Sequence, residues 1–201
     1  MARLDEFNDE PPDRAAEAVR ACNAAQRFAA ELVAGRPYPD VDSLVARAEE
    51  VARALPWDEV SVALAAHPRI GDRPEGSSAE AAASRREQSS MTDADASTRA
   101  ALVDGNRAYE ERFGHVFLIR AAGRSPGEML AELRRRLAND ADTERTEATE
   151  QLAQITALRV KGLVSDAKVT GERASPQAGG TSRLRGTATE ERNESGAEPM
   201  G

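Results

Sequence analysis

The chain has 201 residues, enough for one domain with length to spare and short for two. Its formal net charge is −8 and no basic face dominates, which argues against general nucleic-acid binding. Hydrophobic residues make up 40% but aromatics only 3%, and much of the apolar content is alanine, so an all-α, compact multi-helix bundle is expected rather than a β-sandwich.

Residues 1–12 read as a short lead ending in Pro11-Pro12, with Phe7 tacking it to the body. Asp13 is the expected N-cap of a single helix running to about Val33, with Gly35 just past its end and Pro37 beyond. Ala15, Val19, Cys22, Ala29 and Leu32 fit its period, and Cys22, the one cysteine, reads as a small buried hydrophobe with no disulfide partner. A second helix follows Asp40 or Asp42, with Leu44, Ala48, Val51 and Leu55 spaced +4, +3, +4. A third, opened by proline, carries Trp57 to Ala66 and delivers His67. Residues 68–76 hold two prolines and two glycines and are expected to form a loop.

Ser77 with Glu80 reads as a capping box that opens a helix near Ser78. Asp93 or Asp95 caps the next helix, which reaches Phe113 with Gly114 past its end. Its stripe is Leu102, Asn106, Tyr109 and Phe113, and there Asn106 and Tyr109 need polar partners. His115–Ile119 is too short for a helix and reads as an extended segment threading the core. Ser125-Pro126-Gly127-Glu128 is a second capping box, with Pro at the first helical position. The helix it opens puts Leu130, Leu133 and Leu137 on one side, and Arg134, Arg135 and Arg136 are expected on a solvated face. A last helix with Ala148, Leu152, Ile155 and Leu158 ends near Gly162. From Ser165 onward Gly, Ser, Thr, Arg, Glu and Ala dominate without an aromatic residue, so the expected organisation is a helical domain over 1–164 and a disordered tail over 165–201. With no secretory apolar region and no membrane-length apolar run, a soluble cytoplasmic protein without a membrane partner is expected.

Trp57, Val60, Leu64 and His67 fall at +3, +4 and +3, so His67 lies on the apolar face of its helix. Pro68 biases His67 out of α geometry, which puts the imidazole at a helix C-terminus, where the dipole favours its protonated form. Ser84, Glu87, Gln88 and Met91 share one face of the following helix, while helical spacing turns Arg85 and Arg86 elsewhere. A hydroxyl, a carboxylate and a carboxamide on one stripe suit a small polar ligand. The plainer alternatives are a hydrogen-bonded core histidine and a solvated face of an Ala-rich helix. Two histidines and one cysteine without ligand spacing give no zinc site, and no phosphate-binding Gly-rich loop or Gly-x-Ser-x-Gly elbow is present, so no cofactor and no metal are expected.

The motifs form an ordered series: His67-Pro68-Arg69-Ile70-Gly71, Ser84-x-x-Glu87-Gln88, then Asn106-x-x-Tyr109-x-x-Arg112-Phe113-Gly114-His115-Val116-Phe117-Leu118-Ile119. Gly123-Arg124-Ser125, Arg136-Leu137-x-Asn139 and Ile155-x-x-Leu158-Arg159 continue it. The series resembles the 2-oxo-4-hydroxy-4-carboxy-5-ureidoimidazoline (OHCU) decarboxylases, from about Phe7 to Arg159.

The resemblance implies a small-molecule substrate, decarboxylation to (S)-allantoin in urate degradation, no cofactor, and a homodimer. It implies His67 as the main acid/base and Glu87 as the carboxylate that orients it or shares its proton. Substrate-binding positions implied in the same way are Pro68, Ser84, Arg85, Arg86, Glu87 and Gln88, together with Ile119, Arg120, Ala121, Ala122 and Gly123, the latter stretch acting largely through its main chain. Arg120 brings a bulky charge where none is obviously required, and His115 is a second candidate acid for which a packing or hydrogen-bonding role is favoured. The competing readings are a non-enzymatic, acidic helical interaction module and another ureido-compound lyase or hydrolase using the same pocket.

Overall fold

The structure, a computed structural model, describes residues 2–70 and 94–165. Among the described residues it consists of eight helices and no strand: α1 (Ala2–Asp9), α2 (Pro12–Arg20), α3 (Gln26–Ala34), α4 (Val41–Arg53), α5 (Trp57–Ala65), α6 (Ala96–Phe113), α7 (Pro126–Arg136) and α8 (Ala141–Ser165). The expected all-α architecture is therefore present. Backbone contacts divide the chain into Met1–Ala167 and Lys168–Gly201, and the second unit, with the expected tail, lies outside the described residues. No helix among the described residues is long and apolar enough to cross a membrane.

The short N-terminal lead is itself helical, as α1. Arg36 Nη1 donates to the carbonyls of Phe7 at 2.6 Å and Glu10 at 2.7 Å, which satisfies acceptors left over at the end of α1. Asn8 and Tyr38 exchange two hydrogen bonds of 2.9 Å, and Phe7 and Leu4 enter the core. All of these partners are distant in sequence, so local pattern does not reveal them.

The single helix expected over 13–33 is two helices. α2 starts two residues earlier than expected, with Pro11 at the N-cap and Pro12 at the first helical position, so Asp13 is not the cap. The chain breaks between Arg20 and Gln26 because Asn23 spends its side chain on two other bonds. Its Oδ1 accepts from the Ala25 N–H at 3.0 Å, and its Nδ2 donates to Thr156 Oγ1 at 3.1 Å, fully buried. Cys22 sits in this break, buried, rather than on a continuous helical stripe.

Elsewhere the local signals hold. Asp40 caps α4 by accepting from the Ser43 N–H at 2.7 Å. Asp95 caps α6, and the bonds it accepts, from the Ser97 side chain first and then from Thr98, hold its carboxyl well below the usual range. Gly114 closes α6 at φ 76°, a left-handed geometry that favours glycine. Ser125 and Glu128 form the complete capping box at the start of α7. Gly105 is inside α6 for a packing reason, since a Cβ there would come within 2.5 Å of Leu133 Cδ2 on α7.

Two apolar cores result. The larger joins α1–α5 to α8, with α4 laid along α8 as the most extensive helix pair. The smaller joins Ile70, Leu102, Tyr109, Phe117, Ile119, Ala121, Met129 and Leu133, under the α6–α7 pair. Leu158, expected on the buried stripe of the last helix, is 41% exposed, and its neighbours Ala157 and Val160 are buried instead.

Candidate active site

His67 is delivered by α5 as its spacing predicts. Val60, Ala63 and Leu64 are buried, and the helix ends in tightened bonds from the Ala66 N–H to Ala63 O and from the His67 N–H to Leu64 O, 3.3 and 3.0 Å. His67 itself is 7% exposed, and its Nδ1 lies 2.8 Å from Ala63 O. A carbonyl oxygen only accepts, so Nδ1 carries the proton in this bond. The tautomer is thereby set, and Nε2 is the nitrogen that gains or gives up a proton. Pro68 is half-buried beside it, and Arg69 forms a two-pronged ion pair with Glu110 on α6, 2.6 and 2.8 Å. Ile70 turns into the smaller core, and its carbonyl accepts from Asn106 Nδ2 at 2.9 Å. That bond is the partner Asn106 was expected to need.

The second described wall is the run from Val116 to Gly123. Val116 and Leu118 pack on the larger core, whereas Phe117, Ile119 and Ala121 belong to the smaller one. This alternation is that of an extended chain, as expected for a segment threading the core. Ile119 and Ala121 share their core with Ile70, so the structure brings the end of the His67 loop and this run together. Ala122 and Gly123 are exposed, in a turn closed by the Arg124 N–H on Ala121 O at 3.0 Å, with Gly123 at φ 81°.

Behind the run lies a fully buried ion pair. Arg136 and Glu144 are both 0% exposed. Arg136 Nε donates to Glu144 Oε1 at 2.8 Å, its Nη1 to Leu118 O at 2.7 Å, and its Nη2 to Tyr109 Oη at 3.2 Å. Tyr109 Oη also bonds Glu144, and Asn139 Nδ2 donates to Glu144 Oε2 at 2.8 Å. The guanidinium stacks over Phe117, 4.8 Å from the ring centre. Burial pushes the Tyr109 hydroxyl well above its ordinary range, so it acts as a neutral donor. Arg136 therefore corrects the expected solvated arginine face: Arg134 and Arg135 are exposed, but Arg136 continues the buried Met129–Leu133 stripe at +4 and +3. That spacing was the available signal. Glu144 gave none, because its partner comes from the preceding helix.

His115 both packs and hydrogen-bonds, the two roles favoured for it. Its ring meets Trp57 and Tyr109 edge-on at 5.1 and 5.4 Å, its Nδ1 donates to Val116 O at 3.2 Å, and burial lowers its pKa below the ordinary histidine value. Ser84, Arg85, Arg86, Glu87 and Gln88 lie outside the described residues. Among the described residues, no group of three or more His, Cys, Asp or Glu side chains is placed to hold a metal ion.

The family model for OHCU decarboxylase matches residues 8–161. The chain belongs to the OHCU decarboxylase family. The curated relatives it matches are named for OHCU decarboxylation and for uric acid degradation. It is 33% identical to the 2-oxo-4-hydroxy-4-carboxy-5-ureidoimidazoline decarboxylase of Amia calva over 138 residues, 68% of this chain and 79% of that one. It is 32% identical to the uric acid degradation bifunctional protein TTL of Arabidopsis thaliana over 163 residues, 76% of this chain. It spans only 48% of that bifunctional relative's length. Among solved structures, an OHCU decarboxylase crystallised in the presence of (S)-allantoin superposes with TM-score 0.63 at 28% identity, covering 73% of this chain and 96% of that one. A structure of (S)-allantoin synthase shares the fold, with TM-score 0.59 at 17% identity, covering 80% of this chain and 54% of its own.

Proposed function

We propose that this chain decarboxylates OHCU to (S)-allantoin without a metal or organic cofactor, using His67 and Glu87. The family match over residues 8–161 is the observation that carries the reading. The substrate supplies its own electron sink, since the ring carbon that bears the carboxylate and hydroxyl adjoins a C=N bond. When the C–C bond to the carboxylate breaks, CO2 leaves and the electron pair moves into that bond. Protonation of the neighbouring carbon on one face completes (S)-allantoin.

The protein's part is to hold the carboxylate out of the ring plane and to control the proton. His67 suits the second task because Ala63 O commits its Nδ1, which leaves Nε2 for proton transfer. Glu87 orients the imidazole or shares its proton. Ser84 and Gln88 hold ring carbonyls and the ureido group, Arg85 and Arg86 border the same stripe, and Pro68 with Ile119, Arg120, Ala121, Ala122 and Gly123 completes the substrate contacts. A cytoplasmic homodimer belongs to the same proposal, as does a helical domain ending at about residue 164.

The test uses freshly generated OHCU and follows both its loss and the circular dichroism of the product. His67→Asn and Glu87→Gln should each slow turnover by roughly 10²–10⁴-fold, and the double variant should be little worse than the worse single one. As uncatalysed decay takes over, the product should shift from (S)-allantoin toward the racemate. A folded His67→Asn protein that still makes (S)-allantoin at near wild-type rate would remove His67 from the mechanism.

A further inference from the structure

The extended run from Val116 to Ala121 is gripped by side chains at two points of one edge. In an extended chain the N–H and C=O of one residue point to the same edge, and successive residues alternate edges. Leu118 and Arg120 therefore share an edge, and both are held there by side chains. Arg136 Nη1 grips Leu118 O at 2.7 Å, and Gln151 Oε1 accepts the Arg120 N–H at 2.9 Å. Ile119 points its main-chain groups the opposite way. Ile119 is 4% exposed and sits between the two clamped residues. The two clamps thus fix the peptide planes on either side of Ile119, a residue to which the proposed function assigns a substrate contact. Ala121, the next residue on the Ile119 edge, turns its carbonyl to the Arg124 N–H.

We propose that Gln151 and Arg136 are positioning residues that clamp the Leu118–Arg120 edge, so that the Ile119 N–H and C=O are presented to the ureido and ring carbonyl groups of the substrate. The inference rests on the decarboxylase reading for the identity of that substrate. Gln151 is the better point of attack. It is half-buried on α8 and stands outside the buried Arg136–Glu144 pair, whose removal endangers the fold.

The experiment compares Gln151→Met, which keeps the length and removes the acceptor, with Gln151→Glu, which keeps an acceptor oxygen. For each, kcat and KM on OHCU are measured alongside amide hydrogen exchange of Arg120. Gln151→Met should lower kcat/KM by roughly 10- to 100-fold, the cost of a slightly misplaced contact, and should speed Arg120 exchange. Gln151→Glu should restore most of both. If Gln151→Met keeps wild-type kcat/KM, or if Gln151→Glu is as poor as Gln151→Met, the clamp is overturned. A wild-type protein inert on OHCU overturns the decarboxylase reading and the substrate assigned to this edge, whereas an active wild type with an unaffected Gln151→Met overturns the clamp alone.

Discussion

The two cores of this molecule are built from different materials. The larger one, between α1–α5 and α8, is mostly Ala, Leu, Val and Phe, with the buried Asn23–Thr156 bond as a polar cross-link. The smaller one is bordered by Arg136, Glu144, Asn106 and the Tyr109 hydroxyl, all buried and all hydrogen-bonded. Hydrophobic area is the main stabilising contribution in the first. The second spends desolvation of two charges to fix particular atoms, above all the Leu118 carbonyl. The polar core is the one that adjoins the His67 loop and the 117–121 run. Uniform apolar packing suffices where only stability is needed, and buried polar networks appear where one backbone geometry must be specified.

The sharpest way to break this contrast is to remove one half of the buried pair. Arg136→Met leaves Glu144 charged and dry, and should cost about 3–5 kcal/mol of stability. Arg136→Met combined with Glu144→Leu should recover much of that loss in urea unfolding, while turnover stays impaired because Leu118 O is no longer held. Equal stability losses in the single and double variants would mean that the pair is ordinary packing.

A smaller effect is expected in the apolar core. Asn23→Ala removes the bond to Thr156 and the turn onto the Ala25 N–H, and should cost about 1–3 kcal/mol. Its kcat/KM should stay at the wild-type value, since the break between α2 and α3 belongs to the other core. A loss of activity beyond the loss of folded protein would erase the division between the two regions.

The smallest effect concerns acid. Burial lowers the His115 pKa in the folded state, so the unfolded chain binds more protons. Stability should therefore be intact above the unfolded histidine value, about 6.5, and fall as pH drops below it. Replacing His115 by Phe, which keeps the ring contacts to Trp57 and Tyr109, should flatten that part of the pH–stability curve. An unchanged slope between about pH 6.5 and 5 would assign the acid sensitivity to other groups.

Much of the fold was legible in the sequence because much of it is signalled locally. Asp40, Asp95, Ser125 with Glu128, and Gly114 each mark a boundary with side chains that the structure uses for that purpose. The break at Asn23 was not legible, because its cause is a hydroxyl 133 positions away. Helix α1 was missed for the same reason, its end being satisfied by Arg36. At the site, His67 and the extended run were found from spacing and length, and Asn106 and Tyr109 were rightly expected to need partners. Arg136 was misjudged because three consecutive arginines look alike in composition, and only one of them falls on the buried stripe. Gln151 carries no local mark at all, since its importance comes from a main-chain amide on another segment.

Helix α8 gives the molecule a fixed ruler. Its 25 residues set Glu144 against Arg136, Gln151 against Arg120 and Thr156 against Asn23, and its last turns against α1. One inserted residue turns everything downstream by about 100° and advances it by about 1.5 Å. An insertion between Gln151 and Thr156 would keep the two upstream attachments only by abandoning the downstream ones. A change of length inside α8, between these attachments, therefore requires one of the two cores to be rebuilt to match.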